Sequence, residues 1–238
     1  MKQRLDQALV TRGLAMTRSQ AENWVRLGTV RVDGRLVNKP GYFVTANSVI
    51  ELSAREQYVS RAGLKLASVA GKLSVDFAGA IVLDVGSSTG GFTDYALQHG
   101  ADKVVAVDVG TDQLHASLRG NPRVELHEKT DIRDFDPVEP PDIVVIDVSF
   151  ISLRDILPHI ASLLRLDSIV LAMVKPQFEA GRQLVDKGVI KNDRIRRQIL
   201  SDFEQWAKRY FVIEGKADSD VIGAKGNRER FYRLVLAR

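Results

Sequence analysis

Residues 81–92 read IVLDVGSSTGGF, and no other stretch of this 238-residue chain restricts its fold as strongly. A short apolar, β-branched run delivers Asp84, a glycine-rich turn follows at Gly86, Gly90 and Gly91, and a helix is expected to open near Phe92. Glycine permits positive φ and lets backbone approach a bound group with no Cβ in between. The helix opening behind the turn adds free N–H donors that favour a carboxylate. About 17 residues beyond Gly91 the next strand ends in Asp108, placed to accept hydrogen bonds from both hydroxyls of a nucleoside ribose. The spacing Gly86-x-x-x-Gly90-Gly91 is not G-x-G-x-x-G, which weakens a dinucleotide reading.

The surrounding pattern agrees with this turn. IVLDV, VVAVDV, RVELHE, DIVVIDV and SIVLAMV are short strand-like runs separated by stretches of helix length. Such alternation predicts an α/β, Rossmann-like domain: a doubly wound, mostly parallel sheet with helices on both faces, over residues 57–238. Residues 193–210 place Ile195, Ile199, Phe203 and Trp206 on one face of a late amphipathic helix. Two strands, FVIEGK and RERFYRLVLA, close the chain.

Residues 1–56 read differently, as a small α+β domain. Leu5, Ala8 and Leu9 recur at helical spacing before Gly13, and Thr17 to Gln20 has the form of a capping box. The helix it opens carries Ala21, Trp24, Val25 and Leu27 and stops at Gly28. Asp33–Gly34 between alternating residues predicts a two-residue hairpin, and residues 47–57 a bridge to the second domain in which 48–52 form the last small strand. This quarter holds nine basic and five acidic residues, while the rest of the chain balances at 25 of each. All of the net charge of +4 therefore sits in the first unit, which suits a polyanion-reading module joined to a separate body.

The order of elements over residues 3–52, and the segment RSQAENWVRLGTVRVDGRLVNKPG in particular, resembles the S-four-type RNA-binding module of a small-subunit ribosomal protein. The resemblance implies an RNA-binding face on which Arg4, Arg18, Arg26, Arg31, Arg35 and Lys39 meet phosphates. The glycine turn with its flanking acids resembles the S-adenosylmethionine site of class I methyltransferases. That likeness implies cofactor contacts from Asp84, Gly86, Ser87, Gly90, Gly91, Phe92, Asp108 and Val109, with Asp108 at the ribose and Asp131 facing the adenine amine.

Four further residues stand out. Lys65 lies on the helix before the first strand, Asp147 and Lys175 end the fourth and fifth strands, and Glu229 begins the last strand. Together they resemble the Lys-Asp-Lys-Glu tetrad of FtsJ-type 2′-O-methyltransferases. With YVSRAGLKL, LDVGSSTGGFT, DVSFISL, KPQFEAG and KGNRE, the whole chain resembles the TlyA family, historically labelled hemolysins, whose members often carry Asn where this chain has Asp131. The resemblance implies methyl transfer from S-adenosylmethionine to a ribose 2′-hydroxyl, at a cytidine of ribosomal RNA, with ribosomal RNA or ribosomal subunits as partner.

The chemistry accounts for the residue types. A ribose hydroxyl is a weak acid and a poor nucleophile, so the protein must align it and help remove its proton. Lysine has a pKa near 10.4. Proximity of Lys65 and partial burial are expected to lower that of Lys175 and make it the base, with Asp147 and Glu229 positioning the two lysines. In the other role open to Lys175, a cation stabilises the developing alkoxide.

Other classes are disfavoured. The chain has no cysteine, which removes disulfides and thiolate chemistry. Its four histidines show no ligand spacing, so no metal is expected. The longest apolar run inside residues 168–175 is six residues against the roughly 20 a membrane helix needs, and MKQRLDQALVTRG lacks a signal core. A cytoplasmic protein without membrane insertion is expected. The alternatives are a membrane-active hemolysin, or a non-enzymatic RNA-binding assembly factor that would not need both the glycine turn and the tetrad. Oligomeric state leaves no mark in the sequence.

Overall fold

The computed structural model describes residues 2–15, 18–26, 28–52, 58–180, 189–190, 192–223 and 226–237. Two compact units divide the chain, residues 1–61 and 62–238. In the first unit the elements are β1 (Lys2–Arg4), α1 (Leu5–Thr11), α2 (Arg18–Arg26), β2 (Val30–Val32), β3 (Arg35–Leu36), β4 (Phe43–Thr45) and β5 (Ile50–Leu52). Leu5, Ala8 and Leu9 of α1 share one core with Ala21, Trp24 and Val25 of α2 and with Val30, Val32 and Val44 of the strands. Asp33 and Gly34 take φ of 50° and 76°, as a hairpin turn matched to strand twist requires, and β2 pairs with both β3 and β5. The β1–β4 pair, with Gln3 opposite Val44, is not announced by the sequence, since three residues carry no readable period. Thr17 of the expected capping box and Leu27 lie outside the described residues.

The second unit contains α3 (Arg61–Ala70, its first residue at the boundary), β6 (Ile81–Val85), α4 (Gly91–Gln98), β7 (Lys103–Val107), α5 (Ala116–Arg119), β8 (Val124–His127), β9 (Ile143–Ile146), α6 (Leu157–Leu163), β10 (Ile169–Val174), α7 (Pro176–Glu179), α8 (Asp193–Ala207), β11 (Phe211–Asp218) and β12 (Arg230–Leu236). Seven strands form one sheet in the order β11-β12-β10-β9-β6-β7-β8. All run parallel except β12, which is antiparallel to both β10 and β11. Val144, Ile146, Val170, Ala172 and Val174 are buried, which is why these strands read as unbroken apolar runs rather than alternating ones. Asn192 caps α8 by accepting from the amides of Arg194 and Ile195. The helix ends at Ala207, and Tyr210 closes the following turn on the Ala207 carbonyl.

Strand β6 pairs with β7 on one side and β9 on the other, so the winding reverses there. A crevice opens at the carboxyl ends of the strands on either side of such a reversal. Among the described residues no helix is long and apolar enough to cross a membrane.

Candidate active site

The glycine turn folds at that crevice. Gly86 has a φ of 79°, and a Cβ there would come within 2.9 Å of the Asp147 carbonyl oxygen, so only glycine lets the two loops touch. Gly90 has a φ of 91°, and a Cβ would strike the Leu114 and Leu118 side chains at 2.7 and 2.4 Å. Gly91 opens α4, and the Phe92 ring is buried with its centroid 5.9 Å from that of Phe231.

Asp84, in β6, is fully buried. Its Oδ2 accepts from the Thr93 hydroxyl at 2.6 Å, whereas Oδ1 has no hydrogen-bond partner among the described residues. Burial pushes this carboxyl up to about 7; the Thr93 hydrogen bond opposes the shift, and the negative charge of Asp147 adds to it. Ser87 Oγ is likewise buried and has no hydrogen-bond partner among the described residues. The Asp108 carboxylate accepts from Gly110 N at 2.6 Å and Ser88 N at 2.8 Å, tying the turns after β6 and β7 together. A cavity of about 370 Å³ is lined by Gly86, Asp108, Val109, Asp131 and Asp147, with Val109 at its exposed rim. Asp131 reaches this cavity with its carboxylate already bound by the Arg133 guanidinium at 2.6 and 3.0 Å, a pairing that holds it down at about 2.

A smaller cavity of about 170 Å³ shares Gly86, Ser88, Asp147 and Ser149 with the first and is also lined by Lys65, Asp84 and Lys175. Here the four residues of the expected tetrad come together as two ion pairs. Lys175 Nζ lies 2.5 Å from Asp147 Oδ1, and Lys65 Nζ lies 2.5 Å from Glu229 Oε2. Glu229 arrives because β12 runs against the others: Arg230 pairs with Val174, so the residue before Arg230 and the residue after Val174 share one sheet edge. Arg196 of α8 donates to the Arg228 carbonyl at 3.1 Å and to Asp218 at 2.7 Å, and Asp218 also takes Arg230, which pins the backbone on both sides of Glu229. Among the described residues no group of three His, Cys, Asp or Glu could hold a metal.

Three residues of this site were not singled out in the sequence. Ser149 Oγ accepts from Lys175 Nζ at 2.9 Å, giving that amine a hydrogen-bond acceptor beside its paired carboxylate. Phe150, at a φ of 68° and 93% exposed, sets its ring 5.2 Å from Phe178 at the cavity mouth. Glu179 accepts from Ser152 Oγ and Leu153 N at 2.6 and 2.7 Å and so locks the loop after β9 against α7. Their only signal was adjacency to Asp147 and Lys175 within DVSFISL and KPQFEAG.

In the first unit, Arg4 and Arg18 converge on the buried Asp6. Arg31 folds over the hairpin to donate to the Gly34 carbonyl, while Arg35 and Lys39 are exposed. The Arg26 side chain lies outside the described residues.

The sheet order, the single antiparallel strand and the glycine-cornered crevice define a class I methyltransferase fold. FtsJ-like methyltransferases match residues 58–235, and an S4 domain matches residues 3–50. A Bacillus subtilis protein described as the rRNA methyltransferase YqxC is 40% identical over 240 residues, 98% of this chain and 85% of that one. The 16S/23S rRNA (cytidine-2′-O)-methyltransferase TlyA of Mycobacterium tuberculosis is 39% identical over 239 residues, 97% and 89% of the two chains. A solved structure from Streptococcus thermophilus, described as a hemolysin, superposes with a TM-score of 0.76 at 38% identity over 99% of this chain and 89% of that one. The chain belongs to the TlyA family of FtsJ-like methyltransferases that carry an N-terminal S4 domain.

Proposed function

We propose that this protein methylates the 2′-hydroxyl of a cytidine ribose in ribosomal RNA, in the cytoplasm, with residues 1–56 binding RNA and residues 57–238 holding S-adenosylmethionine and performing the transfer. The observation that carries the reading is the placement of Lys175 Nζ, 2.5 Å from the Asp147 carboxylate and hydrogen-bonded to Ser149 Oγ at 2.9 Å, beside the second lysine–carboxylate pair. Supporting it, the relative with cytidine-2′-O activity named above aligns over nearly the whole chain.

The residues fit the cofactor. The partnerless Asp84 Oδ1 and Ser87 Oγ suit an ammonium and carboxylate, Asp108 suits a ribose diol, and the larger cavity beside Asp131 suits the adenine. When bound, S-adenosylmethionine supplies an electrophilic methyl group on a sulfonium. The work left to the protein is to hold the 2′-oxygen in line and take its proton. Lys175 Nζ donates to Ser149 Oγ and lies against the Asp147 carboxylate, which together fix the direction in which the amine faces the 2′-hydroxyl whose proton it takes. Lys65, fixed by Glu229, adds a positive charge beside the oxygen as it becomes negative.

The test is transfer of labelled methyl from S-adenosylmethionine to transcribed ribosomal RNA, followed by alkaline hydrolysis. A 2′-O-methyl blocks cleavage at its own phosphodiester, so label is expected in alkali-resistant dinucleotides beginning with cytidine. Label in free nucleotides would mean base methylation and overturn the assignment.

A further inference from the structure

Two arginines of the first unit gather around a buried acid. The Asp6 side chain has no exposed surface, yet it opens α1 between two arginines. Its Oδ1 accepts from Arg4 Nε at 3.0 Å and from the Gln7 amide at 3.0 Å. Its Oδ2 accepts from Arg4 Nη2 and from Arg18 Nε, both at 2.9 Å. Two guanidinium groups from different elements, β1 and α2, are thus joined through one carboxylate oxygen. Glu22 is the second acid at the cluster, 3.4 Å from Arg18 Nε.

The donors that remain are the informative ones. Arg4 keeps Nη1, and Arg18 keeps both terminal nitrogens, without hydrogen bonds among the described residues, and these side chains are 39% and 54% exposed. The turn carrying Lys39 is held against the same place: Asp6 N donates to Pro40 O, and a Cβ on Gly41 would lie 3.1 Å from Arg4 Nη1. Arginine presents its donors as a flat fork that matches phosphate oxygens. Two such forks side by side repel and splay unless a counter-charge holds them, and long exposed side chains lose rotamer freedom on binding unless they are held beforehand.

We propose that Asp6 is a positioning residue for RNA: a buried carboxylate that fixes Arg4 and Arg18 as a paired fork for backbone phosphate. The inference rests on the RNA-binding reading of this unit and deepens it. Its consequence runs against net charge. Simple attraction between a basic protein and a polyanion requires that removing an acid tighten binding, whereas loss of the fork weakens it.

The experiment measures binding of the full-length protein to fluorescently labelled, transcribed ribosomal RNA by anisotropy. Asp6→Asn is expected to weaken affinity about tenfold, the scale of losing charge-assisted hydrogen bonds. The same change added to Arg4→Gln with Arg18→Gln is expected to have no further effect, and affinity for S-adenosylmethionine is expected to stay unchanged. Affinity equal to or tighter than wild type in Asp6→Asn overturns the proposal, as does an equal loss in the doubly substituted background. Circular dichroism reports whether Asp6→Asn folds. Should it unfold, Arg18→Lys decides, because it keeps the charge and leaves Asp6 paired with Arg4 but abolishes the fork: loss comparable to Arg18→Gln supports the proposal, and wild-type binding sinks it. If Arg4→Gln with Arg18→Gln binds RNA as wild type does, the RNA-binding reading of this face fails, and Asp6 positioning with it. If that double variant weakens and Asp6→Asn does not, positioning alone fails.

Discussion

Lys175 Nζ and Asp147 Oδ1 meet at 2.5 Å just beyond the ends of two neighbouring parallel strands, β10 and β9. The second lysine of the site, Lys65, is held in the same way by Glu229. Each lysine thus faces a carboxylate of its own, and each carboxylate holds its lysine in place. Both pairs are largely buried, so removing one partner leaves an uncompensated charge, the costly way to break such a pair.

Lys175→Ala is expected to reduce methyl transfer by about 10²- to 10⁴-fold, the usual contribution of a positioned base, with cofactor affinity nearly unchanged. Lys175→Arg should be similarly impaired, because a guanidinium does not give up its proton in the accessible pH range. Single-turnover rates measured beside cofactor titrations separate the two effects. Strong activity in the arginine variant would assign position 175 to charge stabilisation and move the search for a base to Lys65.

The buried Asp84 ties stability to pH. Its carboxyl sits at about 7, above the ordinary value, because burial disfavours its charge. The folded protein therefore keeps a proton that the unfolded chain releases. The stability from that proton is complete below about pH 4 and is lost as pH rises to about 7. Asp84→Asn should raise the melting temperature at pH 8, with the gap closing toward pH 4, while weakening S-adenosylmethionine binding. In the wild type that binding should strengthen from pH 6 to 8 as the carboxylate forms. A gap that does not vary with pH would show that Asp84 is not the titrating group.

Gly86→Ala places a Cβ 2.9 Å from the Asp147 carbonyl and at a positive φ. It should cost about 1–3 kcal/mol of stability and weaken cofactor binding and transfer together, because one contact joins the glycine turn to the strand end that carries Asp147. Calorimetric melting and cofactor titration of the same sample check this. Loss of transfer with intact cofactor binding would uncouple the two loops.

On the proposed reading, in which residues 1–56 with their net charge of +4 bind phosphate and release counterions, RNA affinity should fall steeply with salt. Removing residues 1–56 should flatten that dependence and leave S-adenosylmethionine binding nearly intact. Anisotropy titrations between 50 and 200 mM salt, roughly the range over which such contacts lose most of their strength, provide the measurement. Equal affinity and slope in the shortened protein would remove the first unit from RNA recognition.

The parallel strands were legible because burial on both faces demands continuous β-branched runs, and the glycine turn because its backbone geometry admits few other residues. The Asp33–Gly34 hairpin was legible for the same local reason, its two positive φ values. Adjacency was not legible. The resemblance grouped Glu229 with the two lysines, but nothing near it in the chain indicates that its partner is Lys65 rather than Lys175. Their contact exists because β12 enters the sheet antiparallel beside β10 and so delivers its first residues to the carboxyl edge. Nor could Asp6, an acid in a basic segment, be read as the holder of two arginines before α1 and α2 packed and buried it. Local backbone preference and burial pattern are written residue by residue, so the sequence alone determined the elements and the turn. Strand order, the direction of the last strand and the burial of single charges depend on contacts between distant segments, and only the tertiary structure decided them.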